Sequence, residues 1–331
     1  MPPSVLFLGG TGQISAACVA EAVAVGLKVS VVNRGRTSRR PLPAGVESLR
    51  ADLDDDAGLT ATLRGREFDV VVDFMSFTTQ RLERNLDLFA GRTGQYVFIS
   101  TASAYAKPVP SLPILESTPL RNPFWQYSRD KIACEELLTA RYRETGFPGT
   151  IVRPSSTYDR FAIPLAGGWT QIARMRAGRP VLVHGDGTSV WTLTHASDFA
   201  YSFVGVLGHP AAIGESYHIT GDEILTWDAI ARALAEAAGV RNVQLVHVSS
   251  ETIADRLPAL GPTLVGDKAH SVIFDNSKVR ALRPGFEQRV PFHLGAREIL
   301  ATYDADPDLQ KVDSELDTAL DDLIAAARSG G

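Results

Sequence analysis

Short apolar runs alternate with longer segments of helical periodicity through the first half of the chain. Ser4–Leu8, Lys28–Val32, Val46–Leu49, Asp69–Asp73, Gln95–Ser100 and Gly149–Arg153 read as strands. Most are apolar at successive positions rather than at every second one, which implies burial on both faces, as in a parallel sheet covered by helices. Between them Gly12–Val25, Ala57–Leu63, Thr79–Ala90 and Tyr127–Thr145 read as crossover helices. Gly26 and Gly146 stand where a helix end takes a left-handed residue. This order of elements predicts an α/β fold, a Rossmann-type doubly wound parallel sheet.

After Pro154 the rhythm changes. A helix over Gly167–Ala177, a strand over Pro180–His184 and a turn at Gly185–Gly187 come first. Ser197–Leu207 and Ser216–Thr220 read as a helix–strand unit returning to the large sheet. Thr226–Ala238 is an amphipathic helix, Val243–Val248 a strand, and Leu316–Ala327 a surface helix before a frayed tail from Ser329. The expected division is a dinucleotide-binding domain over 1–160, rejoined by 193–220. A smaller C-terminal α/β substrate lobe takes 161–192 and 221–331.

Composition narrows the class. The 331 residues are 44% hydrophobic and 21% charged, with a formal net charge of −5, a balance that favours neither nucleic acid nor anionic membrane. No run approaches the ~18 apolar residues of a membrane span and no leader precedes the first strand, so a soluble cytoplasmic protein is expected. Cys18 and Cys134 fall in helical segments and read as small core residues; the seven histidines show no metal-ligand spacing, so no metal is expected.

The candidate chemistry lies at two places. Gly9, Gly12 and Ser15 hold the three positions of a G-x-x-G-x-x-G turn between strand and helix, where glycine brings backbone N–H groups close to a pyrophosphate. Ser15 departs from glycine at the position that packs helix against strand. The second strand ends in Asn33-Arg34-Gly35-Arg36, with Arg39 and Arg40 following and no carboxylate to hold a ribose 2′-hydroxyl. A guanidinium suits a 2′-phosphate, which favours NADP(H) slightly over NAD(H). Asp52-Leu53 suits the adenine. Downstream, Tyr127 and Lys131 are spaced i, i+4 and share a helix face. An ammonium and a nicotinamide cation beside a phenol favour phenolate, so Lys131 and the cofactor's positive charge are together expected to depress the Tyr127 pKa.

With these two features, the run Tyr96–Tyr105 and Arg153-Pro154, the chain resembles the extended short-chain dehydrogenase/reductases, more narrowly the NAD-dependent epimerase/dehydratase proteins, up to about residue 290. The resemblance implies Thr101, Tyr127 and Lys131 as catalytic residues. It implies cofactor contacts from Gly9, Thr11, Gly12, Gln13, Ile14, Asn33, Arg34, Asp52, Leu53, Phe74, Met75, Ser100, Lys131, Pro154 and Ser155. Substrate contacts are expected from Ser76, Ser103, Trp191 and Arg174. Ala102-Ser103 replaces the Asp-Glu of the family's 4,6-dehydratases, which disfavours dehydration. Trp191 replaces a diphosphate-binding arginine; its indole stacks on a base or sugar, and Arg174, Arg176 and Arg179 are a substitute source of charge. His195 and Asp198 read as a structural pair.

The implied activity is that of an NAD(P)-dependent sugar epimerase or secondary-alcohol oxidoreductase acting by reversible hydride transfer on a sugar or nucleotide-sugar. The alternative is a non-catalytic nucleotide- and RNA-binding relative, as chloroplast stem-loop-binding proteins of similar architecture are. The acidic charge balance argues against nucleic acid as a partner. A homodimer packed through Thr79–Ala90 and Tyr127–Thr145 is expected.

Overall fold

In the structure, a computed structural model that describes residues 2–35, 39–285 and 288–329, strand β1 (Ser4–Leu8) sits near the middle of a seven-stranded parallel sheet. The sheet continues through β2 (Lys28–Asn33), β3 (Glu47–Arg50), β4 (Phe68–Asp73), β5 (Thr93–Ile99) and β6 (Gly149–Pro154). Val5 and Phe7 point into a core beneath helix α1 (Gln13–Ala24), while Leu6 and Leu8 point into a second core beneath α2 (Asp56–Thr62), α3 (Thr79–Phe89) and α4 (Gln126–Thr145). Both faces are buried, which explains the unbroken apolar runs. Gly26 and Gly146 close α1 and α4 with positive φ of 86° and 71°.

Five elements lead into the smaller lobe: β7 (Thr157–Tyr158), α5 (Trp169–Arg176), β8 (Val181–His184), β9 (Val190–Trp191) and β10 (Thr194–His195). The chain then returns through α6 (Ala196–Val204), which packs on α1, to β11 (Ser216–Ile219), which pairs with β6. The strand order is therefore β11-β6-β5-β4-β1-β2-β3. Beyond it, β12 (Leu225–Thr226) pairs with β9 and precedes α7 (Trp227–Ala237), and β13 (Leu245–Val248) pairs with β8. A helix over Ser314–Ser329 covers this lobe through Leu320, Leu323 and Ile324. Among the described residues no helix is long and apolar enough to cross a membrane.

The order of strands reverses between β1 and β4. Loops leaving their carboxyl ends diverge there and open a crevice, the place where such sheets take ligands.

Candidate active site

A cavity of about 870 Å³ fills this crevice, reaching from Asn33 and Arg34 at the end of β2 to Asp267 and Lys268 of the smaller lobe. Its floor is the turn from β1 to α1. Gly9 has φ of +80°, and a Cβ there would lie 2.7 Å from Met75 Cγ; on Gly10 it would lie 2.6 Å from Val31 Cγ1. Only glycine lets the backbone pass this closely. Thr11, Gly12, Gln13 and Ile14 follow along the cavity wall, at a helix start whose first N–H groups have no intrahelical acceptor. Ser15 does more than pack: its Oγ accepts the Gly12 N–H at 2.8 Å. Gln13 Nε2 donates to the Thr157 carbonyl and bridges α1 to β7.

At the far end Asn33 Oδ1 accepts the Gly35 N–H at 2.8 Å, and Arg34 is an exposed lining residue. Arg40 is committed to Asp159, with Nη2–Oδ1 3.0 Å. Arg81 pairs with Asp54. Arg36, part of the basic run read from the sequence, lies outside the described residues. Asp52, Leu53, Phe74, Met75, Ser100 and Pro154 line the same cavity. Among the described residues the buried Ser100 hydroxyl has no hydrogen-bond partner. A glycine-floored cradle, a helix N-terminus and an orphan hydroxyl together fit a dinucleotide.

The opposite end is built on β5 and α4. Thr101 caps the short turn Ala102–Ala104, its Oγ1 accepting the Ser103 N–H at 3.2 Å. Tyr127, in the first turn of α4, faces the cavity between the rings of Trp125 (4.9 Å) and Phe77 (6.3 Å). One turn on, Lys131 is buried; its Nζ donates to the carbonyls of Ser76 (2.7 Å) and Ile99 (2.8 Å) and lies over the rings of Phe77 and Phe98. An ammonium has three N–H donors, so one is left for the cavity. Burial pushes Lys131 down to about 8, against the pull of Asp73.

Among the protein's own groups, the surroundings of the Tyr127 phenol raise its pKa rather than lower it. Burial raises its pKa, a hydrogen bond with Thr101 lowers it, and the charge of Asp267 raises it further; Lys131 does not counter this. The ammonium spends two of its donors on carbonyls, and burial favours the neutral phenol.

A buried Asp73 carboxylate fixes the loop that holds Lys131. It accepts the N–H groups of Met75 (2.8 Å) and Ser76 (2.9 Å), the Ser76 hydroxyl (2.5 Å) and the Tyr96 hydroxyl (2.5 Å). The four substrate contacts expected from sequence are elsewhere. Ser76 serves through its backbone carbonyl, its hydroxyl being sequestered by Asp73. Ser103 Oγ is buried against Ser128 Oγ at 2.7 Å. Trp191 is fully buried: its Nε1 donates to Ser156 Oγ at 2.7 Å and its ring packs on Trp227. Arg174 is buried in an ion-pair cluster with Asp317 (2.6 Å) and Asp321 (2.8 Å). Arg176 pairs with Asp304, and Arg179 with Asp317 and Asp321.

Of the cofactor contacts, Ser155 is buried behind the wall, its carbonyl taken by the Thr194 hydroxyl; Ser156 and Thr157 line the cavity instead. His195 meets Ser197 and Glu298 rather than Asp198, which accepts the N–H groups of Arg289 and Val290. Phe77, Trp125, Asp267 and Lys268 are lining residues that sequence reading missed. Trp125 was within reach, two positions before Tyr127. Asp267 and Lys268 carry no local signal. Among the described residues no group of His, Cys, Asp and Glu side chains is placed to hold a metal ion.

Known proteins resemble this chain in sequence or in fold. It is 27% identical over 289 residues to a 2′-dehydrokanamycin reductase of Streptomyces kanamyceticus, covering 86% of this chain and 80% of that one. It is 28% identical over 255 residues to a chloroplast stem-loop binding protein of 41 kDa from Arabidopsis thaliana, covering 73% of this chain but 65% of the relative, just under two thirds. The dTDP-glucose 4,6-dehydratase of Bacillus anthracis, solved in complex with NAD, superposes with a TM-score of 0.73 at 19% identity over 93% of this chain and 98% of that one. The model of the NAD dependent epimerase/dehydratase family matches residues 5–220, and the chain belongs to that family.

Proposed function

We propose that the protein is an NAD(P)-dependent oxidoreductase that reduces a ketone, or oxidises the corresponding secondary alcohol, on a sugar-type ring. The observation that carries this is that the Tyr127 phenol, Thr101 and Lys131 line the one cavity that the glycine turn opens.

A bound nicotinamide cofactor supplies or takes up the hydride. The residues from Gly9 to Ile14 would hold its pyrophosphate, and Arg34 would meet a 2′-phosphate, which favours NADP(H) with NAD(H) as the alternative. The remaining N–H of Lys131 would reach a ribose hydroxyl. Tyr127 Oη gives its proton to the carbonyl oxygen in reduction and takes it back in oxidation, while the Thr101 hydroxyl orients that oxygen. The protonated phenol is the form that acts in reduction and the phenolate the form that acts in oxidation, so the same residue serves both directions. Epimerisation through a transient ketone uses the same residues. Dehydration of the 4,6 type lacks its acid and base, because Ala102 and Ser103 follow Thr101. The reductase named for Streptomyces kanamyceticus supports the assignment by likeness.

The test is loss of reduced-cofactor absorbance when purified protein meets a panel of keto-sugars. Turnover that falls by two or more orders of magnitude in Tyr127→Phe supports the reading; turnover insensitive to that change opposes it.

Likeness to the stem-loop binding protein favours one second reading, RNA binding. The charge balance of −5 speaks against it. Filter binding with single-stranded RNA at moderate salt separates the two, because sub-micromolar affinity supports the second. A homodimer through the outer faces of α3 and α4 is part of the proposal, tested by light scattering.

A further inference from the structure

Asp267 belongs to a π-helical turn, Leu264–Lys268, that the smaller lobe carries up to the Tyr127 end of the cavity. Turns of this kind re-aim one side chain out of a helical path. The turn is fastened on both sides. The Lys268 carbonyl accepts from Trp227 Nε1 at 3.1 Å and His184 Nε2 at 3.0 Å. The Gly266 carbonyl accepts from Asn122 Nδ2 at 2.7 Å, and a Cβ on Gly266 would lie 2.9 Å from Trp125 Cβ. Buried Asn122 also donates to the Ser103 carbonyl at 2.8 Å and accepts the N–H groups of Phe124 and Trp125. One side chain thereby locks three segments together: the turn after Thr101, the entry to α4 and the turn bearing Asp267.

Beneath it Lys107 is buried, with Nζ 3.3 Å from Asp267 Oδ1. Among the described residues this is the contact that the Asp267 carboxylate makes; its second oxygen is left to a cavity that Thr101, Phe77, Trp125 and Tyr127 also line. Arg174, Arg176 and Arg179 are engaged in ion pairs elsewhere and do not line the cavity. At the Tyr127 end the cavity thus presents the Asp267 acceptor and Lys268 among aromatic rings, suited to a ring compound with apolar C–H faces and hydroxyl groups.

We propose that Asp267 is a specificity-determining residue, its carboxylate accepting a hydrogen bond from a hydroxyl next to the reacting carbon. The site then prefers ring substrates that are vicinal diols or α-hydroxyketones over their mono-oxygenated analogues. This rests on the reading of Tyr127 as the mark of the reacting carbon. The effect of Asp267 on the Tyr127 phenol agrees with the two groups being neighbours. Lys107 acts through Asp267 as a positioning residue.

The test is titration of the full chain, saturated with NADPH, with trans-cyclohexane-1,2-diol and with cyclohexanol. A hydrogen bond to a charged acceptor predicts about tenfold tighter binding of the diol, or more. That preference disappears in Asp267→Ala. Because Asp267→Ala strands a buried ammonium, the double variant Lys107→Met/Asp267→Ala is measured beside it and also lacks the preference. Equal affinities in the wild type, binding of neither alcohol, or a preference that survives in both variants overturns the assignment. A diol preference that depends on Asp267, in a protein that consumes no reduced cofactor with any ketone, upholds Asp267 as the acceptor that selects diols and refutes hydride transfer instead.

Discussion

Arg153 and Glu135 form a buried two-pronged ion pair between the sheet and helix α4, with Nη2–Oε2 2.6 Å and Nε–Oε1 3.0 Å. Glu135 stands one turn beyond Lys131, so the pair sets the rotation of the helix that presents Lys131 and Tyr127 to the cavity. The Arg153 guanidinium also donates to the Tyr105 hydroxyl, itself bonded to His218. Removing the carboxylate strands a buried guanidinium. Glu135→Ala is therefore expected to lower the unfolding free energy by about 3–5 kcal/mol, read from denaturant midpoints, with weaker binding of the dinucleotide as the helix turns.

Lys131 gives a pH signature whose sign follows from its pKa of about 8 against an ordinary 10.5. Below pH 8 both folded and unfolded chains carry the proton and the burial penalty is present in full. Between 8 and 10.5 the unfolded chain binds more protons, so the contribution of this group to stability rises with pH and levels off above. Lys131→Met removes the penalty. The stability gap between variant and wild type is expected to be widest below pH 8 and to close through that window, measured by denaturation at a series of pH values.

Arg34 bears on cofactor choice. Arg34→Ala is expected to weaken NADPH by about 10–100-fold, the worth of a charge-assisted pair, and NADH by less than about threefold. Fluorescence titration of the two reduced cofactors reads the difference. Equal losses would place the 2′-phosphate elsewhere.

Gly9 combines a positive φ with close contact to Met75. Gly9→Ala is expected to cost about 1–3 kcal/mol of backbone strain and to abolish dinucleotide binding. Adding Met75→Ala relieves the collision but not the φ, so it should restore part of the stability.

The features written in short stretches of sequence were the legible ones. Val5–Leu8 is apolar at every position because both faces of β1 are covered, and Tyr127 and Lys131 share a helix face by spacing alone. The glycine turn declared the crevice. What failed depended on distant partners. Arg174 is consumed by Asp317 and Asp321, 143 and 147 residues along the chain, and Trp191 by a core that includes Trp227. Neither carries a local mark separating a ligand from a structural residue. Lys131 lies on the helix its spacing predicts, but its target, one carbonyl at the end of β5 and another in the loop after β4, lay beyond what spacing can reveal. Asp267 reaches the Tyr127 end of the cavity through an irregular turn that no periodicity announces.

The most direct measurement is an experimental structure of the protein with NADPH bound. The account predicts the nicotinamide ring beside Thr101 and the Tyr127 hydroxyl, separated by no more than the width of a carbonyl group, with Lys131 Nζ on the ribose. A nicotinamide ring seated away from Tyr127, or a phenol turned out of the cavity when cofactor is present, would contradict it.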